Sequence, residues 1–185
     1  MHRPLLPILA ALSLVGCTAE PASPALPAFD IDPARVAVAG LSSGGYMATQ
    51  VHLALNERIH GAAILSGGPY GCARGELQTA LDTCMVPKSA GPDPAALAAV
   101  ARERATAGRI DPLAAFDGDR VWVFHGARDT TVAPALGADV VAFYRALAPA
   151  LSVQADLARP IGHVLATDQR GVDCIEGGSP WLGRC

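Results

Sequence analysis

The chain has 185 residues, a length that suggests one domain. Its formal net charge at pH 7 is −3 and no basic cluster is visible, which argues against nucleic acid or an electrostatically bound membrane surface as the partner. Only 5% of the residues are aromatic and alanine is abundant, so we expect a core built mostly from small aliphatic side chains.

The N-terminus has the pattern of an export signal. A basic start precedes the apolar run Leu5–Val15, which is too short for a permanent transmembrane helix. The run ends in Leu-Val-Gly-Cys17, which resembles a bacterial lipobox and implies cleavage before Cys17 and lipid on its sulfur. An ordinary signal peptide with an incidental cysteine is the alternative. We predict a signal peptide over residues 1–16 and a protein that is anchored to the cell envelope by lipid or secreted.

Residues 17–32 are rich in proline and alanine and are predicted to form a tether between this anchor and a domain over residues 33–185. Within that domain, apolar runs of strand length alternate with segments of helical spacing. This alternation predicts an α/β fold with a doubly wound, mostly parallel sheet. The predicted strands lie near 36–39, 61–66, 119–124 and 151–157, and the predicted helices at 46–55, 94–107 and 134–148; residues 73–93 are expected to be irregular.

The first strand runs into Gly40-Leu-Ser42-Ser43-Gly44, which resembles the nucleophile elbow of α/β-hydrolases. In such a turn the strained serine exposes its hydroxyl, so Ser42 is the candidate nucleophile. The backbone N–H of Ser43, at a helix start, is the candidate oxyanion donor. We expect Gly40 and Gly44 to be required because a side chain at either position would collide with a neighbouring element. The alternative is a glycine-rich turn whose serine caps a helix.

A nucleophilic serine needs a histidine base and a carboxylate that orients it, and α/β-hydrolases supply them in the order Ser, Asp, His. Asp129 and His163 follow two later strands in that order and complete the predicted triad. Asp168 is an alternative acid that would break the order. His125 lies close to Asp129 on the same loop and is interpreted as a residue that braces this loop.

Several motifs together resemble extracellular poly(3-hydroxybutyrate) depolymerases: Gly40-Leu-Ser-Ser-Gly-Gly-Tyr-Met-Ala48, Gly67-Gly-Pro-Tyr-Gly-Cys-Ala73, Gly126-Ala-Arg-Asp-Thr-Thr-Val132 and Gly162-His163 with Thr167-Asp168. The resemblance implies a secreted serine esterase that hydrolyses short-chain polyhydroxyalkanoates or their oligomers through an acyl-enzyme. It implies no metal or organic cofactor. Broader relatives cleave feruloyl or acetyl esters, so a general carboxylesterase is an alternative. Tyr70 and Trp181 are the candidate substrate-binding aromatics.

With Cys17 set aside, four cysteines remain, an even number in an exported chain. They allow three pairings. The resemblance and the short separations favour Cys72–Cys84 and Cys174–Cys185. The alternative, a zinc site, lacks a Cys-x-x-Cys or a histidine pair at ligand spacing.

One feature departs from an ordinary α/β-hydrolase: only one strand is predicted before Ser42. The resembling depolymerases are circularly permuted and place the remaining strands and the second oxyanion donor after the histidine, whereas here 22 residues follow His163. The fold is therefore predicted to be permuted or truncated. The sequence is a fragment, or a second chain completes the sheet, or the sheet is smaller. A lipid-anchored binding protein on a degenerate hydrolase scaffold is the competing hypothesis.

Overall fold

The computed structural model describes residues 27–185, and its compact folded unit spans Asp32–Cys185. The predicted signal peptide, Cys17 and the tether as far as residue 26 lie outside the described residues. Among the described residues, no helix is both long and apolar enough to cross a bilayer.

Four parallel strands form the central sheet, in the spatial order β1-β2-β3-β4. Because each strand is parallel to the next, all four carboxyl ends meet at one edge, where α/β sheets place their ligand crevices. The mostly parallel α/β architecture is thereby confirmed. The strands are β1 (Val38–Leu41), β2 (Gly61–Leu65), β3 (Arg120–Phe124) and β4 (Ser152–Asp156); the helices are α1 (Ser43–Ala54), α2 (Leu77–Asp82), α3 (Pro94–Thr106) and α4 (Ala135–Leu147).

The main core lies between one face of the sheet and the helices α1, α3 and α4. Alternate side chains of β2 and β3, such as Ile64 and Val123, point into this core, where they meet buried residues of the three helices. The side chains on the opposite face are more exposed. Trp122 of β3 is 41% exposed there, in register with Ala63 and Gln154.

The third helix begins and ends as its sequence predicts. The Asp93 carboxylate accepts hydrogen bonds from the N–H groups of Ala95 and Ala96, Pro94 occupies the first turn, and Gly108 follows the helix with φ +67°. These local signals explain why the helix boundaries are predicted within one residue.

Two parts of the structure are not anticipated by the sequence. Helix α2 forms inside the stretch expected to be irregular, and the C-terminal segment folds into a small second sheet of β5 (Leu165–Thr167), β6 (Val172–Asp173) and β7 (Leu182–Arg184). These strands have at most three residues, and their pairing is non-local. Such short elements depend on tertiary contacts, which here include the Cys174–Cys185 disulfide, rather than on a periodic pattern.

A buried polar cluster lies at the amino end of the sheet, opposite the edge that carries the predicted catalytic residues. The His52 ring nitrogens bond the Tyr144 hydroxyl at 2.9 Å and an Asp119 oxygen at 3.2 Å, and His60 bonds the other Asp119 oxygen at 3.2 Å. A neutral His52 satisfies both contacts, because one ring nitrogen accepts from Tyr144 and the other donates to Asp119. His52 and His60 therefore connect structural elements far from the predicted site.

Burial lowers the pKa of His52 below its ordinary value of 6.5, and the hydrogen bond to Asp119 opposes this effect only in part. As the pH falls below 6.5, His52 binds a proton in the unfolded chain but stays neutral in the native chain. The free energy of unfolding should therefore decrease in this pH range.

We predict that His52→Gln, which cannot be protonated, loses less stability than the wild type between about pH 7.5 and about pH 5.5. Urea denaturation at both pH values measures the difference. His60→Gln is the control, and equal losses in wild type and His52→Gln would contradict the prediction.

Candidate active site

Ser42 occupies the turn between β1 and α1 in a strained backbone conformation. Its φ of 58° and ψ of −121° place it in a region that residues other than glycine rarely adopt, at a cost of about 1–3 kcal/mol. The turn is held because the Ser42 N–H donates to Leu65 O at 2.9 Å and the Tyr46 N–H donates to Ser42 O at 3.0 Å. Ser43 is the first residue of α1, so its N–H belongs to the unpaired donors of the helix start. The predicted elbow geometry is present.

Two glycines allow this turn to pack closely. A Cβ on Gly40 would lie 2.2 Å from the carbonyl carbon of Gly44, and a Cβ on Gly45 would lie 2.7 Å from Leu65 O. The expectation for Gly40 is thus confirmed. The expectation for Gly44 is wrong, because among the described residues a Cβ there would meet nothing within 4 Å outside the backbone of its own helix. Gly40 contacts only backbone atoms of residue 44, which an alanine there would keep.

Asp129 and His163 form a buried pair at the carboxyl edge of the sheet. His163 Nδ1 and Asp129 Oδ2 are 2.7 Å apart, and both residues are at least 95% buried. The other carboxylate oxygen, Oδ1, accepts hydrogen bonds from the N–H groups of Thr131 at 2.9 Å and Val132 at 2.8 Å. The carboxylate is therefore fixed in orientation, and it fixes the imidazole in turn.

His125 makes a second contact with the same carboxylate. Its Nε2 lies 3.3 Å from Asp129 Oδ2 and 3.0 Å from the carbonyl oxygen of Val132. Both neighbours are acceptors, so Nε2 carries the hydrogen. Nδ1 is buried beside Gly137 and has no hydrogen-bond partner among the described residues. His125 thus connects β3 to both ends of the Asp129 turn, as expected of a residue that braces this loop.

Burial alone would raise the pKa of Asp129, but hydrogen bonds from His125, His163 and the Val132 N–H outweigh it and hold this pKa well below the ordinary value. The carboxylate is consequently ionised throughout the neutral range. An ionised carboxylate accepts the Nδ1 hydrogen of His163, which leaves Nε2 of a neutral imidazole free to accept a proton.

The loops that carry Asp129 and His163 are tied to each other. The Arg128 N–H donates to Ile161 O at 3.1 Å, and Gly126 passes so close that a Cβ would lie 2.0 Å from the same oxygen. Next to His163, the Gly162 N–H donates to Cys174 O at 2.9 Å, and Cys174 forms the predicted disulfide with Cys185. The small C-terminal sheet therefore supports the histidine loop.

A mostly apolar pocket of about 470 Å³ opens beside Ser42. The second disulfide is the predicted pair Cys72–Cys84, and it forms part of the pocket wall. Tyr46 also lines the pocket, and its hydroxyl donates to Cys84 O. Burial, reinforced by the charges of Asp129 and Asp139, raises the pKa of Tyr46, so this hydroxyl stays protonated. Other lining residues include Met47, Gln50, Leu81, Met85, Arg104 and Val132.

The two aromatic residues predicted to bind substrate differ in position. Tyr70 is only 5% exposed; its ring stacks on Phe143 and its hydroxyl accepts a hydrogen bond from Arg104 at 3.0 Å, so the side chain belongs to the core rather than to the pocket wall. Trp181 is 47% exposed, and its ring centroid lies 5.8 Å from that of His163 in an edge arrangement. Trp181 therefore stands beside the imidazole.

Sequence reasoning missed the pocket residues Met47, Met85 and Arg104. Met47 lies in α1, Met85 lies in the segment that follows α2, and Arg104 lies in α3, so no short motif connects them. The alternative acid, Asp168, is exposed and comes after β5, whereas Asp129 makes the contact with His163. Among the described residues, no hydrogen bond joins Ser42 Oγ to His163. Such contacts are often long in unliganded enzymes and shorten when substrate binds.

Comparisons with known proteins show which proteins this chain is similar to. The poly(3-hydroxybutyrate) depolymerase of Delftia acidovorans is 34% identical over 179 residues, which cover 95% of this chain and 36% of the relative. The polyhydroxybutyrate depolymerase of Talaromyces funiculosus is 31% identical over 172 residues, covering 90% and 49%. The crystal structure of PHB depolymerase from Penicillium funiculosum matches with a TM-score of 0.73 and 28% identity, over 88% of this chain and 50% of that one. No protein-family model matches the chain.

The parallel sheet, the strained elbow and the solved structure define an α/β-hydrolase fold. Within that class, the chain is similar to poly(3-hydroxybutyrate) depolymerases over most of its own length. It spans between about a third and a half of the length of these relatives.

The glycine contacts of the elbow give a paired prediction. Gly40→Ala should lower the free energy of unfolding by at least about 2 kcal/mol, because the new methyl group overlaps the backbone of Gly44. Gly44→Ala adds a methyl group in open space on a helix and should leave stability unchanged or raise it by up to about 1 kcal/mol. Chemical denaturation measures both. Equal effects of the two substitutions would contradict the close packing at Gly40.

Proposed function

We propose that the chain is a serine esterase that hydrolyses short-chain polyhydroxyalkanoates or their oligomers. The observation that carries the proposal is the buried Asp129–His163 pair, which lies at the same edge of the sheet as the strained Ser42 elbow. This is the constellation that acyl transfer through a serine requires. The preference for polyhydroxyalkanoates over feruloyl, acetyl or general carboxylic esters rests on the names of the relatives.

Each residue has a distinct role in the proposed reaction. His163 Nε2 takes the proton of Ser42 as the hydroxyl attacks the ester carbonyl, and Asp129 stabilises the imidazolium through Nδ1. The Ser43 N–H stabilises the developing oxyanion at the positive end of α1. His163 then returns the proton to the departing alcohol. Water, activated by the same imidazole, hydrolyses the acyl-enzyme and releases the acid.

The pocket and Trp181 are the proposed substrate contacts. The apolar wall with Met47 and Met85 suits the methyl and methylene groups of a hydroxyalkanoate. Trp181 lies beside His163 and is partly exposed. It would therefore cover the side of the ester that faces away from the pocket wall. Tyr70 is proposed to act indirectly, by holding Arg104 at the pocket wall.

We also propose that the protein is exported. Two disulfides in the folded unit are typical of an oxidising compartment, and the basic start and apolar run of the N-terminus have the pattern of an export signal. Lipid on Cys17, with anchoring at the cell envelope, is part of this proposal and rests on the sequence around that cysteine. A second chain or a further segment that extends the sheet is likewise proposed, because the chain covers only 49% and 36% of the two relatives.

The first test is covalent labelling of the purified chain with a fluorophosphonate ester, followed by peptide mapping. A single adduct on Ser42 is expected, and Ser42→Ala should abolish it and lower ester hydrolysis by at least about a thousandfold. Ser43→Ala is the matched control, since it keeps the backbone N–H and should keep the labelling. A folded wild-type chain that takes no label would instead support a binding protein on a hydrolase scaffold.

The second test decides between the two acids. Asp129→Asn should lower kcat on p-nitrophenyl butyrate by several orders of magnitude, on the order of ten-thousandfold, because an amide cannot hold His163 in the required tautomer. Asp168→Asn should leave kcat within about twofold, because Asp168 is exposed and the His163 contact is made by Asp129. The reverse pattern would assign the role to Asp168. Circular dichroism of each variant checks that the fold is retained.

A further inference from the structure

Arg104 supplies a cation at the wall of the pocket that holds Ser42. It projects from α3 and is half-buried, and its Nη1 donates to the Tyr70 hydroxyl at 3.0 Å. Its guanidinium carbon lies 5.4 Å from the centre of the Tyr70 ring, so the aromatic ring stabilises the charge. Among residues 27–185, no carboxylate lies within 4.0 Å of the guanidinium. Its other N–H groups therefore have no anionic partner in the described part of the chain.

The charge of the pocket favours an anionic ligand. Of the residues that the structure describes, Arg104 and the exposed Arg74 are the charged members of the lining, with no aspartate or glutamate beside them. The remaining wall is mostly apolar, which lowers the local dielectric. An anionic group that reached Arg104 would lose hydrogen bonds to water and gain a charge-assisted hydrogen bond that is stronger in this environment. A guanidinium also matches the two oxygens of a carboxylate in geometry.

We propose that this pocket binds the alcohol half of a short, acid-terminated oligoester and that Arg104 pairs with its free terminal carboxylate. The proposal rests on the esterase function proposed above and narrows its substrate class. In an oligomer of a hydroxyacid, the last ester oxygen belongs to a unit that also carries the free carboxylate. One compact pocket can therefore hold both the leaving alcohol near Ser42 and the acid group on Arg104. The volume of about 470 Å³ is within the range of small-molecule sites.

The reaction at this subsite balances without any further reactant than water. The Ser42 oxygen forms a bond to the ester carbonyl, and the bond from that carbonyl to the alkoxy oxygen breaks. The departing hydroxyacid takes the proton from His163 and leaves with its carboxylate intact. Water then cleaves the acyl-enzyme and yields the shortened oligomer as an acid.

The competing explanation is that Arg104 only braces Tyr70 and the loop around it. A bracing residue would affect charged and neutral substrates alike, whereas a carboxylate-binding residue would discriminate between them. The matched ligands are therefore the trimer of 3-hydroxybutyrate as the free acid and the methyl ester of the same trimer. They differ in the negative charge and in one added methyl group.

Two readouts separate this proposal from the esterase function on which it rests. In the first, kcat and KM for both trimers are compared in wild type, Arg104→Gln, Arg104→Lys and Arg109→Gln, an exposed arginine outside the pocket lining. In the second, calorimetry measures binding of both trimers to Ser42→Ala with and without Arg104→Gln, so binding is observed without turnover. Hydrolysis of p-nitrophenyl butyrate by the wild type tests the esterase function by itself.

The expected result is that Arg104→Gln raises KM and Kd for the acid by about tenfold, with less than about a twofold change for the methyl ester. Arg104→Lys should recover part of the loss, and Arg109→Gln should behave as wild type. Equal rises in KM and Kd for both trimers would assign Arg104 a bracing role. If Arg104→Gln leaves KM and Kd unchanged for both trimers, Arg104 is excluded as the residue that anchors the carboxylate. Either result overturns the proposal. If the wild type hydrolyses no ester, the esterase function fails, and the calorimetric comparison still decides whether Arg104 binds the carboxylate.

Discussion

The close contact between the end of β1 and the first turn of α1 is the constraint on which the proposed site depends. Gly40 and Gly44 approach so closely that no side chain fits on Gly40, and Ser42 turns the chain there with a φ of 58°. The strain at Ser42 is offset by the packing of α1 against β1 and β2 and by the hydrogen bond from Ser42 to Leu65. This packing aims both the serine and the start of the helix at the carboxyl edge of the sheet.

The Asp129 carboxylate is the second organising element, because it joins three parts of that edge. It accepts hydrogen bonds from its own turn, from His125 at the end of β3 and from His163 on the loop after β4. The same contacts that lower its pKa therefore fix the position of the imidazole. The buried Asp129 carboxylate and its hydrogen-bond donors therefore both orient the His163 imidazole and stabilise the loops that carry these residues.

The small C-terminal sheet and the two disulfides support the loops around Ser42 and His163. One disulfide holds the segment that supports His163, and the other forms a wall of the pocket beside Ser42. The chain covers between about a third and a half of the length of the depolymerases to which it is similar. The residues proposed to act on the ester all lie within the described part of the chain.

The sequence by itself determined the order of the four main strands and of α1, α3 and α4, the boundaries of α3, and the choice of Ser42, Asp129 and His163 as candidate catalytic residues. These features are local: a capping aspartate, a glycine-bounded turn or a polar residue directly after a buried strand can each be recognised within a few residues. The two disulfide pairs were anticipated from a family resemblance together with short separations. The tertiary structure alone decided that Tyr70 lies in the core, that Trp181 stands beside His163 and that Arg104 reaches the pocket from a distant helix. Such placements depend on how the helices and loops pack, and packing brings together residues far apart in the chain without leaving a pattern in the sequence.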